Sequence, residues 1–523
     1  MNTKVCFATQ GELVKLAYDA LGVLPRKKDP YNDFDEKTKK AIQKQLGRLA
    51  KEEGHLEANF GQAIQSLSFI LTGYLPSTRI MGAIGDTLAD LHDAYNELVR
   101  CEGTYLDKSE TLRYFISVKA IPLLVVSLNQ NMLYYKISDF ELDTPKDKFW
   151  FLPSVTDDGT LTLPLEKVMR WAYQLCATSQ TQFHYPGKNA KSDSAGRQQN
   201  LDNAINWIQG ATLPALPALI KNFEDSFLNM AENGREIPKP VQTSILTALV
   251  FARITTYVTK EIVRTYDVSY LKDVCTQFRE YALWIADDVN EFKAEIQPII
   301  QRQESPESAL AIWIDACGDY WNFFNRKVMM VADTLQRLHD EQPDRPMRED
   351  VIAALTSKYG RFALCFCMDT YKRKMSFNPP EGFVKMAMLG FSLKRDADTQ
   401  WDQIDEYAEQ VKTYGLAEHL CWMEPWLRAV YHYRKDNFKT AMGYYQIAFD
   451  NAKYRAGKNQ YDLVNQYVEV AAKNDKRQCF KKGIEWAQYL GLKVRWLRDD
   501  EPTEEKLDFV YGMLKMARYD HQM

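Results

Sequence analysis

The stretch Ala429–Ala452, AVYHYRKDNFKTAMGYYQIAFDNA, decides how this chain is read. Ala429, Phe438, Ala441, Tyr445 and Ala448 alternate small and aromatic side chains at helical spacing, and Asp436-Asn437 stands where a first helix turns into a second. Carried forward by 42 positions, the same frame gives Ala471, Phe480, Gly483, Ala487 and Leu490. Carried back by 37, it gives Ser392, Trp401, Ile404, Ala408 and Val411. Recurrence on this period predicts helical hairpins in tandem, a C-terminal α-solenoid.

The best copy, through Ala429, Phe438, Ala441, Tyr445 and Ala448, resembles a tetratricopeptide repeat. Each small residue sits where two helices of a hairpin cross closely, and each aromatic fills the groove beside it. The early tryptophan, leucine and glycine of that family are missing, no proline closes the unit, and the spacing exceeds the family's ~34 residues. The resemblance covers roughly the last quarter of the chain and implies a stacked array whose concave face suits peptides or helices.

Composition sets wider bounds. A chain of 523 residues with 46% hydrophobic and 12% aromatic content can bury a sizeable core and divide into several domains. Sparse glycine and proline, with apolar residues at three- and four-residue intervals, predict a mainly α protein. The nine cysteines are scattered without a CxxC pair, so neither a zinc site nor a redox motif is expected, and a reducing, cytoplasmic location fits. The opening MNTKVCFATQGELVKLAYDALGV lacks the pattern of a targeting leader. The most apolar runs, AIPLLVVSL and SILTALVFA, are nine residues each, short of the ~20 that span a bilayer, and no membrane span is expected.

Four blocks are predicted. Residues 1–139 form an N-terminal helical domain. Residues 140–200 hold a hairpin, a helix and a polar loop: FWFLPSV and TLTL flank the turn signal Asp157-Asp158-Gly159, and PGKNAKSDSAGRQQN reads as a mobile loop. Residues 201–341 form a region of long helices, broken at Glu236–Pro240 and near Ser305-Pro306. The linker QPDRP at Gln342–Pro346 leads into the tetratricopeptide-like region, 346–523.

Several constellations bear on chemistry. Net charge is −4, yet between Asn451 and Arg498 eleven Lys/Arg face four Asp/Glu, a basic region suited to an acidic partner or nucleic acid. Trp207, Gly210 and Pro214 resemble the segment after the recognition helix of phage-repressor-type helix-turn-helix domains, but the long polar loop ending near Asn200 leaves no short turn before it, and helix capping is the expected role. Asp86, Asp90, Asp93 and Glu97 line one helix face, expected to be a solvated acidic stripe. Arg48 and His55 in RLAKEEGH resemble the Arg/His pattern of HEPN ribonucleases, in which histidine handles a 2′-hydroxyl proton and arginine stabilises phosphate charge. Leu49 stands where that family carries a polar residue. The Gly-Lys steps at Lys188 and Lys458 lack the rest of a P-loop, and Glu291/Lys293 lie in a helical context where nuclease cores use a strand. No cofactor and no metal are expected.

The expected function is that of a non-enzymatic macromolecule-binding scaffold or regulatory protein acting through the repeat region. Its partner would be a protein or peptide, held by a groove beside Tyr431, Tyr444 and Trp486 and a basic face that includes Lys481, Lys482, Arg495 and Arg498. The alternatives are an HEPN-like ribonuclease effector of a bacterial toxin or antiviral system, with Arg48 and His55 catalytic, and a nucleic-acid-binding regulator using the basic C-terminal region.

Overall fold

The computed structural model describes residues 9–23, 36–50, 56–75, 77–101, 105–137, 142–156, 159–184, 194–341, 361–497 and 502–517. It is mainly helical, with almost no strand. Among the described residues the N-terminal part comprises α1 (Gln10–Leu21), α2 (Glu36–Ala50), α3 (Leu56–Thr72) and α4 (Thr78–Cys101). Then come α5 (Lys108–Tyr114), a π-helical turn at Phe115–Ala120, and α6 (Ile121–Tyr134). The first helix shows how local sequence sets its bounds. Thr9 and Glu12 form a reciprocal capping box at its start, and Gly22, at φ +63°, ends it in the left-handed region.

Ser154–Val155 (β1) and Leu161–Thr162 (β2) pair antiparallel, Ser154 opposite Thr162, around Gly159 at φ +83°. This is the hairpin that the alternating pattern predicts; Asp157 and Asp158 lie outside the described residues. Helices α7 (Pro164–Leu175), α8 (Gln180–Phe183) and α9 (Ser194–Ile208) follow. The polar run expected to be a loop to Asn200 is therefore corrected from Ser194 onward, where SAGRQQN forms the first two turns of α9. Alanine, arginine and glutamine are good helix formers, and small polar composition alone did not separate this run from a loop. Residues 185–193 lie outside the described residues. Gly210, at φ +69°, follows the end of α9, with Trp207 buried.

Helices α10 (Leu216–Glu232), α11 (Lys239–Thr265), α12 (Val268–Ile300) and α13 (Pro306–Glu341) occupy the stretch expected to hold long helices, with breaks where Pro238 and Pro306 predict them, and α14 (Arg361–Met375) follows. The expected linker Gln342–Pro346 lies outside the described residues. The nine-residue apolar runs sit within longer elements than their own length suggests. Lys108–Tyr134 and Lys239–Thr265 are each 27 residues and apolar enough to cross a membrane, with 44% and 50% of their most apolar windows buried inside the protein. The second carries Arg253 in its buried face, where the guanidinium donates to the carbonyls of Asp19 and Ala20 at the end of α1 and to Pro214. That arginine closes the C-terminus of α1.

The chain ends in α15 (Phe383–Arg395), α16 (Trp401–Thr413), α17 (Met423–Arg434), α18 (Phe438–Ala452), α19 (Gln460–Lys473), α20 (Arg477–Tyr489) and α21 (Glu504–Met516). From α15 to α20 each helix packs on its neighbour in sequence, and α21 packs on α19. The α17–α18 turn has Asp436 at φ +56°, with Asn437 N–H donating back to His432 O; the α19–α20 turn repeats this with Asp475 at φ +55° and Lys476 N–H donating to Ala471 O. These equivalent turns are 39 positions apart rather than the 42 of the side-chain frame. A three-residue offset moves a pattern by nearly one helical turn and keeps it on about the same face, so the pattern alone does not fix the register.

Among the described residues the buried apolar side chains gather in three clusters, and these group the chain differently from the four sequence blocks. The largest joins α15–α21 to Tyr95, Leu98 and Val99 of α4 and Tyr114 and Val118 around the π turn. The second joins α1–α3 to α7, α10 and α11; the third joins α6 to α12, α13 and α14. Within the first, Gly483 allows α20 close to α19: a methyl there would lie 2.5 Å from Val468 Cγ1 and 3.0 Å from Tyr467 Cδ1. Gly483→Ala should therefore lower stability by about 1–2 kcal/mol, overpacking outweighing the gain in helix propensity. Urea unfolding checks this, and an alanine variant as stable as the parent would show that the two helices separate at no cost.

Candidate binding site

The residues that the sequence places in a groove do not all meet. Tyr431 of α17 and Tyr444 of α18 do. Both are half-buried and converge on Trp401, the first residue of α16, with ring centroids 5.3 and 6.3 Å from its indole. His432 completes the group: its imidazole lies 5.5 Å from Trp401 and stacks on Tyr444 at 5.6 Å with an interplanar angle of 6°. Three successive helices thus contribute to one aromatic cluster. Tyr431 and His432 come from the last turn of α17, Tyr444 from the middle of α18, and Trp401 from the start of α16.

Cations lie over these rings. Arg428 stands 4.4 Å above Trp401 and is held by Glu424 at 2.8 Å and Asp405 at 2.7 Å. Lys435 lies 4.0 Å from the Tyr431 ring centre and donates to its hydroxyl. Partial burial, then the nearby charges of Lys435 and Arg428, hold His432 below the usual histidine range. The imidazole is therefore neutral at pH 7, which suits a stacked position. Beside the cluster, α18 presents an open strip. Ile447 is 49% exposed one turn beyond Tyr444, and nothing lies within 4 Å of where a side chain on Gly443 would begin.

Trp486 is a correction. It is 1% exposed and lies in the first core, with its indole N–H donating to Gln460 Oε1 at 3.1 Å, so it cannot line a surface groove. Its neighbours Gly483, Ile484, Ala487 and Tyr489 are buried as well, because α19, α21 and the N-terminal helices surround α20 on several sides. Helical periodicity indicates an apolar face but not how many partners will cover it.

The basic residues of α20 sit at the surface against acids. Lys481 pairs with Glu504 at 2.7 Å, Lys482 with Asp450 at 2.7 Å, and Arg477 with Asp508. Such exposed pairs add little stability but offset the local positive field. Arg495 is exposed, with its guanidinium 4.3 Å from the Trp496 ring; Arg498 lies outside the described residues. Arg48 is exposed in the last turn of α2, and His55 lies outside the described residues. The acidic stripe lies on exposed positions of α4, and two of its members also accept hydrogen bonds from α6 and the turn after it: Asp90 from Ser127 and Asp86 from Tyr135 at 2.8 Å. Among the described residues no group of three or more His, Cys, Asp or Glu side chains is placed to hold a metal ion.

Sequence reasoning passed over Trp401, His432 and Ile447 as parts of the site. The frame shifted back by 37 gives Trp401 only as the counterpart of Phe438. Comparison with protein-family models, with curated proteins and with solved structures gives no match.

Proposed function

We propose that this protein is a binding module whose tandem helical hairpins form a solenoid-like array that captures a polypeptide partner. What supports this reading is the convergence of Trp401, Tyr431, His432 and Tyr444 from three consecutive helices beside an exposed, apolar strip at Gly443 and Ile447. Clustered half-buried rings give large contact area at low entropic cost and are typical anchors of interfaces. The partner segment would lay an apolar side chain against Tyr444 and Ile447 and an acidic one near Lys439, which is exposed and makes no ion pair among the described residues.

A photo-crosslinking amino acid placed at Ile447 in the full chain, in its native host, tests this. One polypeptide should be captured in near-stoichiometric yield. Capture should fall about tenfold or more with Tyr444→Ala, the loss expected for a central interface aromatic. The same probe at Leu228, which is 50% exposed on α10, should capture nothing specific. Equal patterns from the two positions, or indifference to Tyr444→Ala, would overturn the assignment of this face.

A further inference from the structure

The last helix, α21, is held differently from the helices before it. It packs on α19, and its ion pairs with α20 run in reverse order, Glu504 to Lys481 at 2.7 Å and Asp508 to Arg477, so it lies antiparallel to α20. It therefore takes the place of the first helix of a further hairpin, and among the described residues no helix follows it. Two of its thirteen residues, Val510 and Leu514, are buried, against eleven of fourteen in α19. Phe509 and Met516, on its other face, are exposed, so the helix is gripped from one side. An element with so little burial opens locally at lower free energy than the core beneath it.

The grip has the form of a helix lying in a groove. Leu507, Val510, Tyr511 and Leu514, at i, i+3, i+4 and i+7, make the seam against the first core, and Tyr511 meets Phe480 of α20 edge-on at 5.1 Å. Charge fixes the direction of the helix. Arg477 and Lys481 make no ion pairs among the described residues other than those with Glu504 and Asp508. At the far end Lys515 pairs with Asp475, and Lys473 donates to Lys515 O at 3.4 Å and to Ala517 O, closing the carbonyl end of α21.

Lys473 also faces the buried carboxylate of Glu469 at 3.6 Å, so it would keep a partner with α21 away, whereas Arg477 and Lys481 would keep none. The uncovered face would then present two unmatched cations where a helix begins, an apolar seam along its length, and the acid Asp475 where it ends. We infer that α21 is a displaceable internal ligand, and that the face of α19 and α20 receives an amphipathic helix of another polypeptide. That helix carries two acids four residues apart near its start, apolar residues spaced as Leu507, Val510, Tyr511 and Leu514 are, and a basic residue in its last turn. Until such a helix arrives, α21 keeps the face closed.

Hydrogen exchange and peptide binding on the full chain test this. In the parent, amides of α21 should open at least about tenfold more readily than those of α19, and the gap should widen from about 0.05 to about 0.5 M salt as the exposed pairs are screened. A fluorescein-labelled peptide of residues 502–517 should bind the parent weakly, because the tethered helix competes at an effective concentration of about a millimolar. The double variant Glu504→Lys/Asp508→Lys sets lysines against Lys481 and Arg477, and should bind the same peptide at least about tenfold more tightly. A peptide carrying both lysines should not compete for that site. Both substitutions are at exposed positions, and protection of α16–α18 in the variant should match the parent, which separates release of α21 from loss of the fold. Equal protection of α21 and α19 in the parent, or no gain in peptide binding by the folded variant, would overturn the inference and make α21 a permanent part of the core. Dimers of the parent joined by exchanged α21 helices, seen by sedimentation, would overturn the foreign occupant in favour of a second copy of the chain.

Discussion

Replacing Trp426 with alanine is expected to destabilise the C-terminal helices by about 3–5 kcal/mol, the usual cost of deleting a large buried aromatic. Trp426 is fully buried between α15 and α19 and unites three kinds of interaction. Its ring fills the first core beside Trp422, 5.8 Å away. Its indole N–H donates to Gln466 Oε1 at 2.6 Å, an oxygen that also accepts from Tyr445 at 3.1 Å. Its face lies 4.0 Å from Lys394 Nζ, which pairs with Asp462 at 3.0 Å. Lys394 is 6% exposed, and burial holds it below the usual lysine range against the pull of Asp462. The alanine variant would leave a cavity, remove one of two donors to Gln466, and strip a buried ammonium of the ring that helps to solvate it. Trp426→Phe keeps most of the volume and the face but not the N–H, and should cost about 1–2 kcal/mol. Hydrogen exchange across α17–α19 reads both variants. A loss below about 1 kcal/mol for Trp426→Ala would mean that this core repacks freely around the missing ring.

The same helices show what a sequence can disclose. Apolar spacing and scarce glycine and proline suffice for a mainly helical chain, because the helical period is a local property written into each segment. The hairpin at Ser154–Thr162 was legible from its alternation and turn residues, and the breaks at Pro238 and Pro306 from the missing amide donors. Legibility stopped where the answer depends on what covers a face. Tyr431 and Tyr444 remain at the surface while Trp486, of the same chemical kind and in the same region, is core. The difference comes from α4 and the start of α19: Gln460, which receives the Trp486 N–H, also donates to Val99 O, a residue 361 positions away. No local pattern encodes such a contact.

Stability around α10 is expected to fall as pH drops from about 6.5 to about 4, through one histidine. His184 is 2% exposed amid Phe183, Phe223 and Tyr173. Its Nδ1 lies 2.6 Å from Asn222 Oδ1, which can only accept, so Nδ1 carries the proton; Nε2, 2.6 Å from Tyr173 OH, accepts. Both nitrogens are satisfied in the neutral ring, and among the described residues no carboxylate is bonded to either. Burial brings the folded value down to about 4, against the smaller opposing effect of the Asn222 hydrogen bond. The unfolded chain takes up this proton near 6.5 and the folded one only near 4, so over that window the unfolded state binds more protons and stability declines with falling pH. Above 6.5 the contribution is constant, and below 4 no more is lost. The full change is about 3 kcal/mol. Other acids titrate in this window, so the decisive quantity is the difference between the parent and His184→Gln, followed by hydrogen exchange of Leu216–Glu232 under mild urea. Glutamine does not titrate, and its amide can meet one of the two partners. Its deficit should be largest at pH 7 and shrink by about 3 kcal/mol toward pH 4. Parallel curves for the two proteins would mean that His184 takes up its proton in the folded state without penalty, and that water reaches the ring Asn222 and Tyr173 enclose.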